Sequence, residues 1–384
     1  MPTAPAHGTG FGVYAHWPFC LAKCPYCDFN SHVSRSVDQE AWRKALVAEA
    51  AYMRALTGPR RVDTVFFGGG TPSLMPPRTV ESVIKEIDTL WGLADAAEIT
   101  LEANPTSVEA SKFRAYADTG INRVSMGVQA LNDADLKALG RMHSVAEARD
   151  AFDIARSVFD RVSFDLIYAR MGQTLAEWEA ELAEALAMAV DHLSLYQLTI
   201  EQGTRFGELH AMGRLRTPAD DLSADMYDLT QQMTAAAGMP AYEISNHARA
   251  GAESRHNLIY WRGAEYAGIG PGAHGRISID GQRHATETLH DPAAWLNAVG
   301  SHAHGIAALE PVAPAEQATE YLLMAMRLST GAERAWFEKL GGQIEEGRRK
   351  DLIENGFLQN QTEYLAATQR GRIVLNSVLA ALLT

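Results

Sequence analysis

Short runs of β-branched and aromatic residues alternate with longer amphipathic stretches through the first 240 residues of the chain. Short runs of this kind are typical of strands, and apolar residues at helical spacing are typical of surface helices. The pattern predicts strands near residues 12–16, 64–67, 99–102, 123–127, 162–167 and 193–198. It predicts helices over residues 38–56, 78–90, 108–118, 146–158, 175–189 and 221–236. Each predicted strand is therefore followed by a helix.

Regular alternation of strands and helices is typical of a parallel sheet covered by helices. Six such units are fewer than the eight of a closed barrel. We therefore expect an α/β fold with a curved, partly open (β/α)6 barrel over about residues 11–240. The loops at the carboxyl ends of the strands are the expected position of the functional site.

The regular pattern ends after about residue 250, and the stretch 290–314 is rich in Ala, His and Pro. This composition suits a connection and predicts a domain boundary near residue 305. Residues 1–305 then form the core domain. The tail, residues 306–384, contains helical patterns, a short hairpin pattern and a last apolar helix, an order that predicts a small winged-helix-like α+β domain.

The formal net charge of −13 argues against a nucleic-acid partner, because phosphate binding depends on clustered Lys and Arg. No apolar run approaches the roughly 18 residues that a membrane span requires. The first ten residues lack the basic and apolar stretches of a secretory signal. We expect a cytoplasmic protein without a membrane span.

The three cysteines of the chain, Cys20, Cys24 and Cys27, lie within eight positions of one another. Three thiolates on one loop can bind three irons of a [4Fe–4S] cluster and leave the fourth iron open to a chelating small molecule. The alternative is structural zinc, which needs a fourth ligand such as His16 or His32. The C-x₃-C-x₂-C spacing favours the cluster over zinc.

Glycine and polar residues stand where the predicted strands end. Gly69 and Gly70 precede Thr71 after the second strand, and glycine lets the backbone approach a ligand closely. Glu102 closes the third strand and Gln129 closes the fourth, and Arg141 and Asp165 extend this series of polar residues. An aspartate can bind ribose hydroxyls and an arginine can bind a carboxylate. These residues are predicted to converge, because the carboxyl ends of parallel strands meet at one edge.

The cysteine spacing resembles the signature of the radical-SAM superfamily. In that superfamily S-adenosylmethionine binds to the open iron of a [4Fe–4S] cluster. Over residues 11–384 the chain is similar to the group that contains the coproporphyrinogen dehydrogenases and the HemW proteins. This resemblance implies a binding site for S-adenosylmethionine made of Tyr14, Tyr26, Gly69, Gly70, Thr71, Glu102, Gln129, Arg141 and Asp165.

The resemblance also extends, less closely, to Thr199 and His274. The chain departs from the group after Asp165, because Ala169 and Met171 stand where the group has Gly and Pro. The geometry of the turn that follows Asp165 is therefore an open question at this point.

Two features separate the members of this group. Phe29 stands where the dehydrogenases have a fourth cysteine and HemW proteins have Phe. The segment that begins at Arg255 resembles the H-N-x-x-Y-W motif associated with heme binding in HemW, which implies heme-binding roles for His256, Asn257, Tyr260 and Trp261. Imidazole is a common axial ligand of heme iron, and aromatic rings can pack on the macrocycle. The alternatives are that His256 simply packs in the core, or that His274 is the ligand.

The resemblance therefore implies a HemW-like heme chaperone. Such a protein would bind a [4Fe–4S] cluster, S-adenosylmethionine and heme as cargo, and would deliver heme to client hemoproteins. An electron donor for the cluster is a further expected partner. The alternative is an oxygen-independent coproporphyrinogen III oxidase, and a radical-SAM enzyme with another substrate is a third hypothesis. Whether the chain is itself an enzyme stays open in the sequence.

Overall fold

The structure is a computed structural model that describes residues 8–34 and 36–383. Its main feature is a mixed sheet with helices on its faces. The strands in chain order are β1 (Phe11–Trp17), β2 (Phe19–Cys20), β3 (His32–Val33), β4 (Val62–Gly69), β5 (Leu93–Ala103), β6 (Arg123–Gln129), β7 (Arg161–Tyr168), β8 (His192–Gln197), β9 (Asn246–Ala248), β10 (Glu265–Ile269), β11 (His274–Ile279), β12 (Gln282–Thr288), β13 (Ile306–Pro311), β14 (Ala332–Glu333) and β15 (Tyr364–Leu365).

The helices of the amino-terminal two thirds are α1 (Gln39–Thr57), α2 (Pro77–Trp91), α3 (Ser107–Ala110), α4 (Phe113–Ala117), α5 (Asp133–Ala138), α6 (Val145–Val158), α7 (Leu175–Met188), α8 (Arg205–Ala211), α9 (Asp220–Ala236) and α10 (Arg255–Trp261). The later helices are α11 (Pro292–His302), α12 (Pro314–Ala325), α13 (Arg334–Lys339), α14 (Glu346–Glu354), α15 (Gln369–Ile373) and α16 (Leu375–Leu383). Within residues 8–34 and 36–383, no helix has the length and apolar character needed to cross a membrane.

The large sheet has the strand order β13-β12-β11-β10-β1-β4-β5-β6-β7-β8-β9. Strands β1 and β4 to β8 pair in parallel, which confirms the six predicted parallel strands. The apolar side chains of these strands are buried, as in β6, where Val124, Met126 and Val128 have no exposed surface. The linear strand order confirms the α/β fold with an open, partial barrel.

The second edge of the sheet was not predicted. Strand β10 pairs in parallel with β1, and β11, β12 and β13 continue the sheet as antiparallel strands. Glycines hid β10 and β11, because glycine is rare inside strands unless another backbone approaches closely. A Cβ at Gly268 would lie 2.2 Å from the carbonyl oxygen of His274, so only glycine fits there.

The predicted helix over residues 108–118 is wrong, because the chain forms the two short helices α3 and α4 instead. The hydroxyl of Ser111 donates to the carbonyl of Val108 at 2.7 Å, and the N–H of Lys112 bonds the carbonyl of Glu109. Local side-chain and i+3 bonds of this kind compete with a regular helix.

The carboxyl-terminal unit has its own apolar core, built on helices α12, α13 and α16 and the small β14–β15 sheet. Ile306–Pro311, just after the predicted boundary at residue 305, forms β13 and pairs with β12 of the large sheet. The stretch 290–314 is also not a plain connection. Asp291 caps α11 by accepting from the N–H of Ala294, and Pro292 begins that helix, a combination of helix-start signals.

A buried carboxyl group ties α1 to the far edge of the sheet. Glu49 accepts hydrogen bonds from the backbone N–H groups of Gly270 and Gly305, both at 2.7 Å, and from the indole of Trp295 at 3.0 Å. Burial raises the pKa of Glu49 to about 7. The loops before β11 and before β13 are thereby fixed to the helix that follows the cysteine segment.

Replacing Glu49 with Ala should lower the free energy of unfolding by roughly 3 kcal/mol or more, because each buried donor left without a partner costs about 1–3 kcal/mol. Urea denaturation at pH 7 measures this loss. Glu40→Ala, at the exposed start of the same helix, is the matched control and should shift the midpoint far less. Equal midpoints for Glu49→Ala and the unmodified protein would contradict the assigned role.

Candidate functional site

The carboxyl ends of the parallel strands surround a cavity of about 750 Å³. Its walls come from the loop after β1, the end of β4, and strands β5, β6 and β7. The structure brings together at this cavity nearly all residues expected to bind the cluster and S-adenosylmethionine: Cys20, Cys24, Tyr26, Cys27, Gly69, Gly70, Thr71, Glu102, Gln129, Arg141 and Asp165. Tyr14 is not on the wall, and its hydroxyl bonds His16 Nδ1 at 2.9 Å.

The cysteine segment, residues 20–27, leaves β1 through β2 and presents each sulfur to a polar neighbour. The Thr71 hydroxyl donates to Cys20 Sγ at 3.4 Å, and Arg141 Nη1 donates to Cys24 Sγ at 3.3 Å. Burial raises the pKa of the Cys20 thiol, and the Thr71 hydrogen bond opposes that shift. All three thiols are free. Cationic and hydroxyl donors favour the thiolate form that binds metals.

The sulfur positions do not match the tetrahedron of a single zinc ion. Zinc–sulfur bonds of about 2.3 Å in a tetrahedron would place thiolates roughly 4 Å apart. In the described part of the chain, the three sulfurs are not gathered within 4.8 Å of one another. His16 also has both ring nitrogens engaged, by the Tyr14 hydroxyl and by the Asn30 carbonyl at 2.9 Å. The geometry thus disfavours a Cys₃His zinc site that uses His16.

The glycines at the end of β4 hold the cysteine segment against the sheet. The N–H of Gly70 bonds the carbonyl of Trp17 at 2.7 Å, and the N–H of Thr71 bonds the carbonyl of Phe19 at 2.9 Å. A Cβ at Gly70 would lie 2.8 Å from the Phe19 oxygen, and Gly69 has a φ of 114°. Glycine is therefore required here for the close approach of two backbones.

Two partly buried carboxyl groups, Glu102 and Asp165, line the inner wall of the cavity. Burial and the neighbouring Asp165 raise the pKa of Glu102 to about 8, and burial raises the pKa of Asp165 to about 6. Glu102 accepts from the N–H of Gly69 at 3.2 Å, and Asp165 accepts from the hydroxyl of Ser125 at 3.4 Å. A cationic ligand would stabilise both carboxylates, so this wall suits a sulfonium or ammonium group.

The remaining polar wall also fits a polar ligand. Arg141 donates through Nη2 to Asn104 Oδ1 at 2.6 Å and to the Gly127 carbonyl at 2.8 Å. The buried Arg141 Nε and Gln129 Oε1 have no hydrogen-bond partner among the described residues, and unpaired buried polar atoms are rare in folded proteins. Asn104 and Ser125 line the cavity but were missed, although Asn104 follows Glu102 by two positions.

Ala169 and Met171, which stand where the related group has Gly and Pro, do not displace Asp165 from the cavity wall. Ala169 adopts a φ of 55°, the left-handed conformation that a glycine would take more easily. Arg170 stabilises the turn by pairing with Asp135 at 2.9 Å and with Glu181 at 2.6 Å. Asp165 therefore lies on the cavity wall. Thr199 and His274 do not line this cavity.

The structure does not gather the four residues expected to bind heme at one open surface. His256 is fully buried on α10, its Nδ1 bonds the Thr64 hydroxyl at 2.7 Å, and its Nε2 bonds the Tyr260 hydroxyl at 2.6 Å. Its ring stacks on Phe66 with centroids 5.0 Å apart. Burial lowers the pKa of His256 to about 3, so the imidazole is neutral and both nitrogens are occupied.

Tyr260 connects this histidine to a second cavity of about 410 Å³ between the large sheet and the carboxyl-terminal unit. Aromatic and cationic side chains line it, among them Tyr260, Tyr266, Arg276, Arg283, Tyr321 and Trp336. Asn257 and Trp261 do not line it; the Arg327 guanidinium lies 5.7 Å above the Trp261 ring. Within the segment expected to bind heme, Tyr260 is thus the residue that reaches a cavity.

Comparisons with known proteins agree with this geometry. The sequence profile described as the Radical SAM superfamily matches residues 14–185. The chain is 38% identical to the Bos taurus protein named radical S-adenosyl methionine domain-containing protein 1, mitochondrial, over 100% of the chain and 90% of the relative. It is 36% identical to heme chaperone HemW of Escherichia coli (strain K12), over 96% of each.

A solved structure shares the fold over the whole chain. Coproporphyrinogen III oxidase (HemN) from Escherichia coli, described as a radical SAM enzyme, superposes with a TM-score of 0.79 at 18% identity, covering 100% of this chain and 92% of the other. That likeness shows the fold, whereas the sequence relatives show the family. Together with the cysteine-lined cavity at the strand ends, they establish that the chain belongs to the HemW family of the radical-SAM superfamily.

Proposed function

We propose that the protein is a heme chaperone, which binds a [4Fe–4S] cluster, S-adenosylmethionine and heme and delivers heme to client hemoproteins. The observation that carries the proposal is the 36% identity to a heme chaperone over 96% of both chains. The proposal includes a cytoplasmic location and an electron donor for the cluster. One of the relatives bears a mitochondrial name, so location is a feature in which family members differ.

The proposed ligands of the cluster are Cys20, Cys24 and Cys27. Their position beside the strand ends, with Thr71 and Arg141 donating to two of the sulfurs, supports this assignment. When bound, such a cluster supplies an electron and one iron with an open coordination position. The chain provides three thiols on one segment and a cavity next to them.

The proposed binding residues for S-adenosylmethionine are the remaining polar groups of the same cavity. Gly69, Gly70 and Thr71 offer backbone groups for the methionyl amine. Arg141 is suited to the carboxylate, and Glu102, Gln129 and Asp165 surround the space left for the cationic and ribose parts. Tyr26 lines the wall beside the cysteines, and Tyr14, off the wall, lies near enough to Glu102 for the two groups to interact electrostatically.

The proposed heme-binding segment is His256, Asn257, Tyr260 and Trp261. Tyr260 and the arginines of the second cavity support it, because aromatic rings pack on a macrocycle and guanidinium groups pair with propionates. Binding of heme iron by Nε2 of His256 requires one local change. The hydrogen bond between this nitrogen and the Tyr260 hydroxyl, which are 2.6 Å apart, must first break.

Oxidative decarboxylation of coproporphyrinogen III, the alternative expected from the sequence, is not favoured. The oxidase of known structure shares 18% identity with this chain, whereas the HemW relative shares 36%. Phe29, at the position that holds a cysteine in the oxidases, is 59% exposed and lines the cavity that contains Cys20, Cys24 and Cys27, here called the cluster cavity.

The affinity of cluster-loaded protein for S-adenosylmethionine should rise as the pH increases from 6 to 8. The pKa values of Asp165 and Glu102 are raised to about 6 and about 8, and a cationic ligand favours the ionised forms, so binding releases protons. Calorimetry in two buffers of different ionisation enthalpy measures this release.

Glu102→Gln should bind more weakly and show a shallower pH dependence, because it removes one of the two titrating groups. Asp95→Asn, at the exposed start of the same strand, is the matched control and should behave as the unmodified protein does. A pH profile unchanged in Glu102→Gln would contradict a role for Glu102 in binding the cation.

Hemin titration of the cluster-loaded protein should give saturable one-to-one binding in the Soret region, followed by transfer to an apo-hemoprotein. His256→Ala should weaken binding at least about tenfold, or roughly 1.4 kcal/mol. Tyr260→Phe should not weaken iron ligation, because it frees Nε2 of His256 while it keeps the aromatic ring.

His302→Ala, on the exposed end of α11, is the control for nonspecific hemin binding. Equal affinity of His256→Ala and the unmodified protein would remove His256 as the ligand. Failure of the unmodified protein either to bind hemin stoichiometrically or to transfer it would overturn the proposed function.

A further inference from the structure

A second group of metal-binding side chains lies on the edge hairpin of the sheet. His274 begins β11 and stands directly opposite Glu287 on β12, and His290 follows β12 by two residues. Side chains of directly opposed residues in an antiparallel pair lie on one face of the sheet. The side chains of His274 and Glu287 therefore lie on one face of the hairpin, and His290 lies in the loop that follows.

The ligand atoms of these residues converge. One nitrogen of each histidine and one carboxylate oxygen of Glu287 lie within 4.8 Å of one another, which no other group of His, Cys, Asp and Glu in the described ranges achieves. His290 Nε2 lies 2.6 Å from Glu287 Oε1. The two imidazole rings are 6.4 Å apart between centroids and nearly perpendicular at 77°.

The backbone under the three side chains is rigidly held. The Thr288 hydroxyl donates to the Gly270 carbonyl at 2.5 Å and accepts from the N–H of Ala273 at 2.9 Å. The N–H of Leu289 bonds the carbonyl of Gly305 at 2.8 Å. His274 and His290 are exposed, so their side chains can rotate on a fixed frame. A fixed frame with ligands already close together lowers the cost of forming a metal site.

The hairpin is also joined to the segment after the cysteines. The Asn30 side-chain amide donates to the carbonyls of Pro271 and His290, at 3.0 and 2.9 Å. A Cβ at Gly272 would lie 2.4 Å from that amide nitrogen, so the close contact requires glycine. None of the three ligand residues lines the cluster cavity, so this group is separate from the proposed cluster site while its backbone is bonded to the same loop.

We propose that His274, Glu287 and His290 form a binding site for a divalent transition-metal cation of the Zn²⁺ class. Two imidazoles and one carboxylate select borderline cations such as zinc over magnesium or calcium, which prefer oxygen ligands. Three protein ligands leave a fourth position open to water or another ligand. The three ligand atoms lie within 4.8 Å of one another, which suits a single free cation bound by all three.

Calorimetric titration of untagged, cluster-loaded, full-length protein with zinc chloride tests this site. One zinc ion should bind per chain, and millimolar magnesium should not compete. His274→Ala and His290→Ala should each weaken zinc binding roughly tenfold or more. His284→Ala is the matched control, since it removes an imidazole from the same β11–β12 hairpin, and should leave the affinity unchanged.

The cysteines are a rival site for zinc, and a second measurement separates the two. A Cys20→Ser, Cys24→Ser, Cys27→Ser variant, with its fold checked by circular dichroism, should keep the histidine-dependent zinc site. Loss of zinc binding in that variant would overturn the proposal. Zinc binding that is absent in the unmodified protein, or unchanged in His290→Ala, would overturn it as well.

Discussion

The contact between the end of β4 and the start of the cysteine segment is the one on which the site depends. Two backbone hydrogen bonds, from Gly70 and Thr71 to Trp17 and Phe19, fix the position of the loop over the sheet. They form only because the glycines carry no Cβ. With that loop fixed, Cys20 comes within reach of the Thr71 hydroxyl and Cys24 within reach of Arg141. The inner wall of the cavity, by contrast, comes from the register of β5 and β7.

Local periodicity was sufficient to predict the six parallel strands, because each of them buries an apolar run that is separated from the next by a helix. It was also sufficient to place Glu102, Gln129 and Asp165 on one edge, since parallel strands end together. The strands β10 to β13 could not be found in this way. In β10 and β11, glycines leave room for a close approach between the two strands, such as that between Gly268 and the carbonyl of His274.

The sequence did not show which of the candidate residues are buried or which of them are neighbours in space. The segment from His256 to Trp261 resembles a heme-binding motif. Its histidine, however, is enclosed between Phe66 and Tyr260, and both of its ring nitrogens are hydrogen-bonded. Conversely, nothing in the local pattern around Glu287 marks it as a partner of His274. Their proximity follows from the register of an antiparallel pair, which only the folded sheet defines.

The Asn30 amide has a consequence for the order in which the molecule is assembled on the ribosome. Its two acceptors lie 241 and 260 positions later in the chain, and β1 itself needs β10 as one of its two neighbours. The loop that carries the cysteines can therefore form both of these hydrogen bonds only when about three-quarters of the chain, 290 of 384 residues, has been synthesised. During translation, the three thiols are therefore made early, but their surroundings are completed late.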